Sequence, residues 1–168
     1  MKVTRAAAIL LSALLALPVL AIAQSSGSIL NAPEASKLLP DAVFFAGKSA
    51  TTQLRNSAGI RLADHYVLAV LVDTSGYSST VQQKYQGYLL TEVPLSIGGH
   101  ALAPGAYGIG FLGGHFLVMD IGSHTLLQAS AAHDTQMQHP TPLRILSGSS
   151  SAPYRLCFGR DCVDFAAK

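Results

Sequence analysis

Five of the six histidines, His100, His115, His124, His133 and His139, fall within 40 consecutive residues. Neutral imidazole is a common ligand for divalent metals, so that density raises a metal centre as the first chemical reading. Turn chemistry argues against a shared site. Gly113-Gly114 and Gly122-Ser123 have the composition of two-residue hairpin turns, which pairs Leu112 with His115 and Ile121 with His124. His115 and His124 then open successive antiparallel strands at opposite ends of a sheet. Six residue steps of about 3.3 Å separate those ends by roughly 20 Å, too far for one zinc shell. His100 follows Gly98-Gly99 and also opens a strand. Beside a tight turn, a histidine is ordinarily a solvated polar residue.

The remaining chemical cluster is Ala132-His133-Asp134-Thr135-Gln136-Met137-Gln138-His139-Pro140. It reads as a loop, where functional groups concentrate. His133, Asp134 and His139 are the candidate catalytic residues here, and His133 and His139 the candidate metal ligands, for a metal-assisted hydrolysis. No H-E-x-x-H or H-x-H spacing supports that reading.

Cys157 and Cys162 are the only cysteines. With Gly159-Arg160 as a two-residue turn, Phe158 faces Asp161 as the hydrogen-bonded pair and Cys157 faces Cys162 at the next, non-hydrogen-bonded position. At that position the α-carbons approach to about 4.5 Å, within reach of a disulfide. The same register pairs Arg155 with Asp164 and turns Tyr154, Leu156, Val163 and Phe165 toward the core. The spacing is not C-x-x-C, so the pair reads as a structural staple rather than a redox centre.

Three further strings resemble catalytic motifs without completing them. Val70-Leu71-Val72-Asp73-Thr74-Ser75-Gly76 has the strand and turn of a retropepsin-like aspartic protease, but Ser75 stands where the turn requires glycine. A buried strand ending in an Asx or Ser turn accounts for it. Gly47-Lys48-Ser49 ends like a phosphate loop, yet Ala42 occupies the position of the first glycine. No G-x-S-x-G elbow occurs. No cofactor motif is present.

The elements that must carry these residues are strands. Apolar, β-branched and aromatic runs alternate with glycine turns, and the predicted strands are 43–46, 51–55, 66–72, 87–92, 94–97, 106–112, 115–121, 124–130, 143–146 and the terminal hairpin. Asn31 with Glu34 and Pro33 caps a short helix that Pro40 ends. Ser79 with Gln82 repeats the capping pattern, in a stretch that reads equally as strand. Tyr66 to Val72 is apolar on both faces, as in a sandwich centre or a lined cavity. The expected fold is all-β: a single antiparallel β-sandwich, or alternatively a closed β-barrel, with one or two short peripheral helices.

The segment Val93-Pro94-Leu95-Ser96-Ile97-Gly98-Gly99-His100-Ala101-Leu102-Ala103-Pro104-Gly105-Ala106-Tyr107-Gly108-Ile109-Gly110-Phe111 resembles the I-G-G-x-x-L-x-P-G-x-Y segment of secreted bacterial β-sandwich domains of unknown function. Its physical content is a Gly-Gly hairpin, a Pro-Gly type II turn and a strand that delivers Tyr107, Ile109 and Phe111 to one face. The resemblance implies a fold class and no activity.

The N-terminus points to export. Lys2 and Arg5 precede an apolar stretch, and Pro18 and Ala21-Ile22-Ala23 end it before Gln24, the pattern of a cleaved secretory signal. The alternative is retention as an anchor, since 18 apolar residues reach the lower bound for a span. No cysteine follows for lipid attachment, and no twin arginine is present. The chain thus divides into a signal at 1–23, an N-terminal segment with a short helix at 24–41, and an antiparallel β-domain at 42–168. Its formal charge is +2, and removing Lys2 and Arg5 leaves nine basic and nine acidic residues. A neutral domain has no basic face to attract nucleic acid, and no transmembrane span is expected after cleavage. The expected role is a secreted or periplasmic, non-catalytic binding or envelope component. Alternatives are the hydrolase at 132–140 and a barrel holding a small apolar ligand.

Overall fold

A computed structural model describes residues 27–168. The signal sequence expected at 1–23 lies outside the described residues. The elements are β1 (Ser28–Leu30), α1 (Ala32–Ala35) continued by a 3₁₀ turn (Ser36–Leu38), β2 (Ala42–Phe45), β3 (Lys48–Leu62), β4 (His65–Val72), α2 (Ser79–Lys84), β5 (Gly87–Thr91), β6 (Leu95–Ile97), β7 (His100–Leu102), β8 (Gly105–Leu112), β9 (His115–Met119), β10 (Thr125–Ser130), β11 (Ala132–His133), β12 (Arg144–Ser147), β13 (Tyr154–Phe158) and β14 (Asp161–Ala167).

They form two antiparallel sheets. One runs β1-β3-β4-β5-β8-β9-β10, with β2 paired to the start of β3; the other runs β12-β13-β14-β6-β7, with β11 paired to β14. The fold is the expected β-sandwich. The barrel alternative is overturned, because the first and last strands of each sheet do not pair with one another. Between Leu89, Leu95, Phe116, Leu156 and Phe165 the residual space is about 10 Å³, near the minimum that one water molecule needs.

Inward residues of both sheets interdigitate in one core, with Ile60, Val67, Ile109 and Phe116 from the first sheet against Leu95, Leu156, Val163 and Phe165 from the second. The two apolar faces of β4 are explained by what covers each. Val67 and Ala69 enter that core, while Leu68 and Val70 pack outward against Ala35 of α1 and Leu39. The α1 cap is a full capping box, in which the Asn31 side chain accepts from the Glu34 N–H and Glu34 accepts from the Asn31 N–H. A second outer core joins Phe45, Val72, Tyr77, Tyr85 and Met119. The 79–84 stretch is helix rather than strand, and Ser78 rather than Ser79 holds the cap position.

Close approach requires glycine at two positions beside this outer core. The alternation of Gly108 and Gly110 in β8 leaves room for Phe45 and the Lys84 carbonyl respectively, each of which an added Cβ would strike. Expected and observed turns agree at Gly113-Gly114, where Leu112 faces His115, and at Gly98-Gly99, where Ile97 faces His100. The Pro104-Gly105 step differs. Gly105 is absent from the positive-φ glycines, so it opens β8 in extended form rather than completing a type II turn. Tyr107, Ile109 and Phe111 nevertheless share the core side. No helix among the described residues is long and apolar enough to cross a membrane.

Candidate functional site

The terminal hairpin follows the sequence register in full. Phe158 faces Asp161, Cys157 faces Cys162, Leu156 faces Val163, Arg155 faces Asp164 and Tyr154 faces Phe165. Cys157 and Cys162 form a disulfide with their α-carbons 4.1 Å apart. Gly159 has φ +59° and Arg160 does not share the positive region, as a type II′ turn requires. Beside the disulfide, Arg155 grips Asp164 through Nε at 2.6 Å and Nη2 at 3.3 Å. That bond raises the Arg155 pKa further.

The candidate cluster at 132–140 is only partly a loop. Ala132 and His133 form β11, where His133 faces Asp161 of β14. The His133 Nδ1 and the Asp161 Oδ1 lie 2.7 Å apart, with both side chains at least half exposed. Asp134 is used differently. Its Oδ1 accepts the Gln136 N–H and its backbone N–H donates to the Arg160 carbonyl, so it shapes the loop. His139 is exposed near the far end of the loop. Among the described residues no three His, Cys, Asp or Glu side chains gather at one point. The arrangement at His133 is a carboxylate-oriented imidazole, capable of accepting a proton at Nε2. Asp161, the partner of His133, is not legible in the sequence, where Asp134 is the adjacent carboxylate; His133 reaches it only because β11 adds to the edge of β14.

The turn expected at Gly122-Ser123 is corrected by the structure. β9 and β10 are joined by the wider loop Asp120 to His124, which the Asp120 carboxylate organises. Its Oδ1 accepts the N–H groups of Gly122 and His124, and its Oδ2 lies 3.0 Å from the His124 Nδ1. The His124 backbone N–H, and then its imidazole, hold the Asp120 carboxyl below its ordinary pKa. Ile121, expected in a strand, is exposed in this loop. Asp73 ends β4 as an Asx turn, with its Oδ1 accepting the Ser75 N–H at 3.0 Å. Gly47 belongs to the β2–β3 turn.

A surface cleft lies elsewhere. A cleft of about 480 Å³ opens where the edge strand β12 passes β3, walled by the 29–32 segment, the 55–58 segment and the 141–145 segment. Its position follows from a register shift. Gln53 faces Leu71 and Ser57 faces Val70, so Leu54, Arg55 and Asn56 bulge out of β3 without partners in β4. The bulge is fixed from within: the Ser57 hydroxyl lies 2.7 Å from the Leu54 carbonyl, and Asn56 Nδ2 donates to Gln53 Oε1 at 2.9 Å. It presents Arg55 at one wall. Arg144 stands at the other, in an edge strand between the buried Leu143 and Ile145. Among the described residues no Asp or Glu lines the cleft. The Arg144 Nε is enclosed by protein and has no hydrogen-bond partner among the described residues.

Neither arginine was singled out from sequence. The predicted strand stopped at Arg55, because the polar run Arg55-Asn56-Ser57 resembles a strand end; the resumed apolar alternation of Ala58, Ile60 and Leu62 was the signal of a bulge. No family model, no curated protein and no solved structure matches the chain.

Proposed function

We propose that this chain is an exported, non-catalytic binding domain of the periplasm or extracellular space, and that the cleft between β3 and β12 is its ligand surface. One observation carries the reading. The cleft has the size of a small-molecule site, walls that mix apolar and polar residues, and two arginines with no lining carboxylate among the described residues to neutralise them. The signal-like N-terminus and the disulfide support the compartment, since such bonds persist in oxidising surroundings. The resemblance of the 93–111 segment to secreted bacterial β-sandwich domains points the same way.

The test is direct. Expressed with its N-terminus intact in a bacterium, the chain is expected in the periplasmic or culture fraction with a mass beginning at Gln24 and both thiols inaccessible to alkylation. Purified mature protein titrated with a mixed fragment set should shift the amide resonances of Ile29, Ser57 and Ile145. A membrane-retained chain of full length overturns the compartment; shifts confined to other surfaces overturn the cleft.

A hydrolytic reading has a single observation in its favour, the 2.7 Å pair of His133 and Asp161. Turnover of ester or amide substrates that His133→Ala abolishes would install it instead.

A further inference from the structure

We propose that the ligand of the β3–β12 cleft is an amphipathic anion, with a carboxylate or phosphate head held between Arg55 and Arg144 and a short apolar body against Ile29, Leu30, Leu143 and Ile145. The proposal rests on the cleft being the binding surface. Three features lead to it. The two guanidinium groups border one cavity with no acidic side chain in its lining. The nearby Glu34 is committed to the Asn31 N–H at 2.9 Å. Arg155 and Asp164 satisfy each other elsewhere in the sheet, which leaves Arg55 and Arg144 outside every ion pair among the described residues.

Guanidinium is planar and offers its N–H groups as a fork that matches two oxygens of one head group. The Arg144 Nε is enclosed by protein, so a head group in the cleft meets Arg144 through its Nη groups. A neutral alcohol supplies one weak acceptor and no charge. The apolar wall sets the other half of the selectivity: Ile29 is 38% exposed and Leu30 half-buried, so a hydrocarbon body gains by covering them, whereas a small inorganic anion does not.

The experiment titrates the mature protein with octanoate, octyl phosphate and 1-octanol, following amide resonances. Octanoate or octyl phosphate is expected to shift Ile29, Ser57 and Ile145 and to bind at least tenfold more tightly than 1-octanol, and the order of the two anions identifies the head group. Arg55→Gln with Arg144→Gln should weaken the anions at least tenfold and leave 1-octanol unchanged. Arg55→Gln alone, on an exposed side chain, should weaken the anions severalfold without touching the fold. Equal affinity for 1-octanol and octanoate at the cleft overturns the anionic head and leaves the cleft as a binding surface. Absence of cleft shifts with all three probes overturns both readings.

Discussion

The rings of Phe45 and Tyr85 stack with their centroids 3.8 Å apart and 20° between their planes, yet the Tyr85 hydroxyl, fully enclosed, has no hydrogen-bond partner among the described residues. Burial pushes the phenol pKa well above its ordinary value. Phenylalanine would keep the stack and remove the orphaned polar group. Tyr85→Phe should therefore raise stability by about 1 kcal/mol, read as a higher urea midpoint at unchanged slope. A loss of stability would mean that the hydroxyl has a partner after all.

The disulfide closes a very short loop. For a ring of that size the chain-entropy term is only about 2 kcal/mol, so Cys157→Ala with Cys162→Ala should lower the unfolding free energy by about that much and leave the sandwich intact. The readout is the urea midpoint together with an unchanged far-ultraviolet dichroism spectrum. Collapse of the fold would show that the bridge organises more than the last hairpin, whose core-facing residues Leu156 and Val163 are buried regardless.

Two backbone positions should both favour glycine over alanine, for different reasons. Ala63, exposed in the β3–β4 turn, has φ +53°, a region where a Cβ costs roughly 1 kcal/mol. Ala63→Gly should recover that amount. Gly108→Ala instead drives a methyl into the Phe45 ring, and overpacking of this kind should cost about 2 kcal/mol. Thermal melts of both variants against the parent check the pair.

Acid should weaken the fold through two turns. Asp120 and Asp73 are each held below the ordinary value of 3.8, by His124 and by Ser75 respectively, their backbone N–H bonds first. A depressed folded pKa means that the stabilisation is complete above the unfolded value and is lost as pH falls through the folded one. Urea midpoints should then be steady from neutral pH to about 5 and drop below about 4. Asp73→Asn with Asp120→Asn should make that drop shallower; an unchanged drop would place the acid sensitivity in other groups.

The terminal hairpin was legible residue by residue because one two-residue turn sets the partner of every position in it, and both faces had to agree with that choice. The same logic failed at Gly122-Ser123. There a side chain, Asp120, supplies the turn's hydrogen bonds and widens the loop, and a carboxylate that caps its own loop looks in sequence like any polar residue.

What the sequence determined by itself was local: strand alternation, the Asn31 capping box, the facing cysteines, and hence an antiparallel sandwich with an export-type leader pattern. Tertiary structure alone decided the rest. It chose sandwich over barrel, because closure depends on whether distant edge strands meet. It paired His133 with Asp161 across strands 28 residues apart. It also brought Arg55 and Arg144 to one cleft, because the edge position of β12 and its passage beside the β3 bulge are set by the packing of two sheets and are not encoded in a window of neighbouring residues.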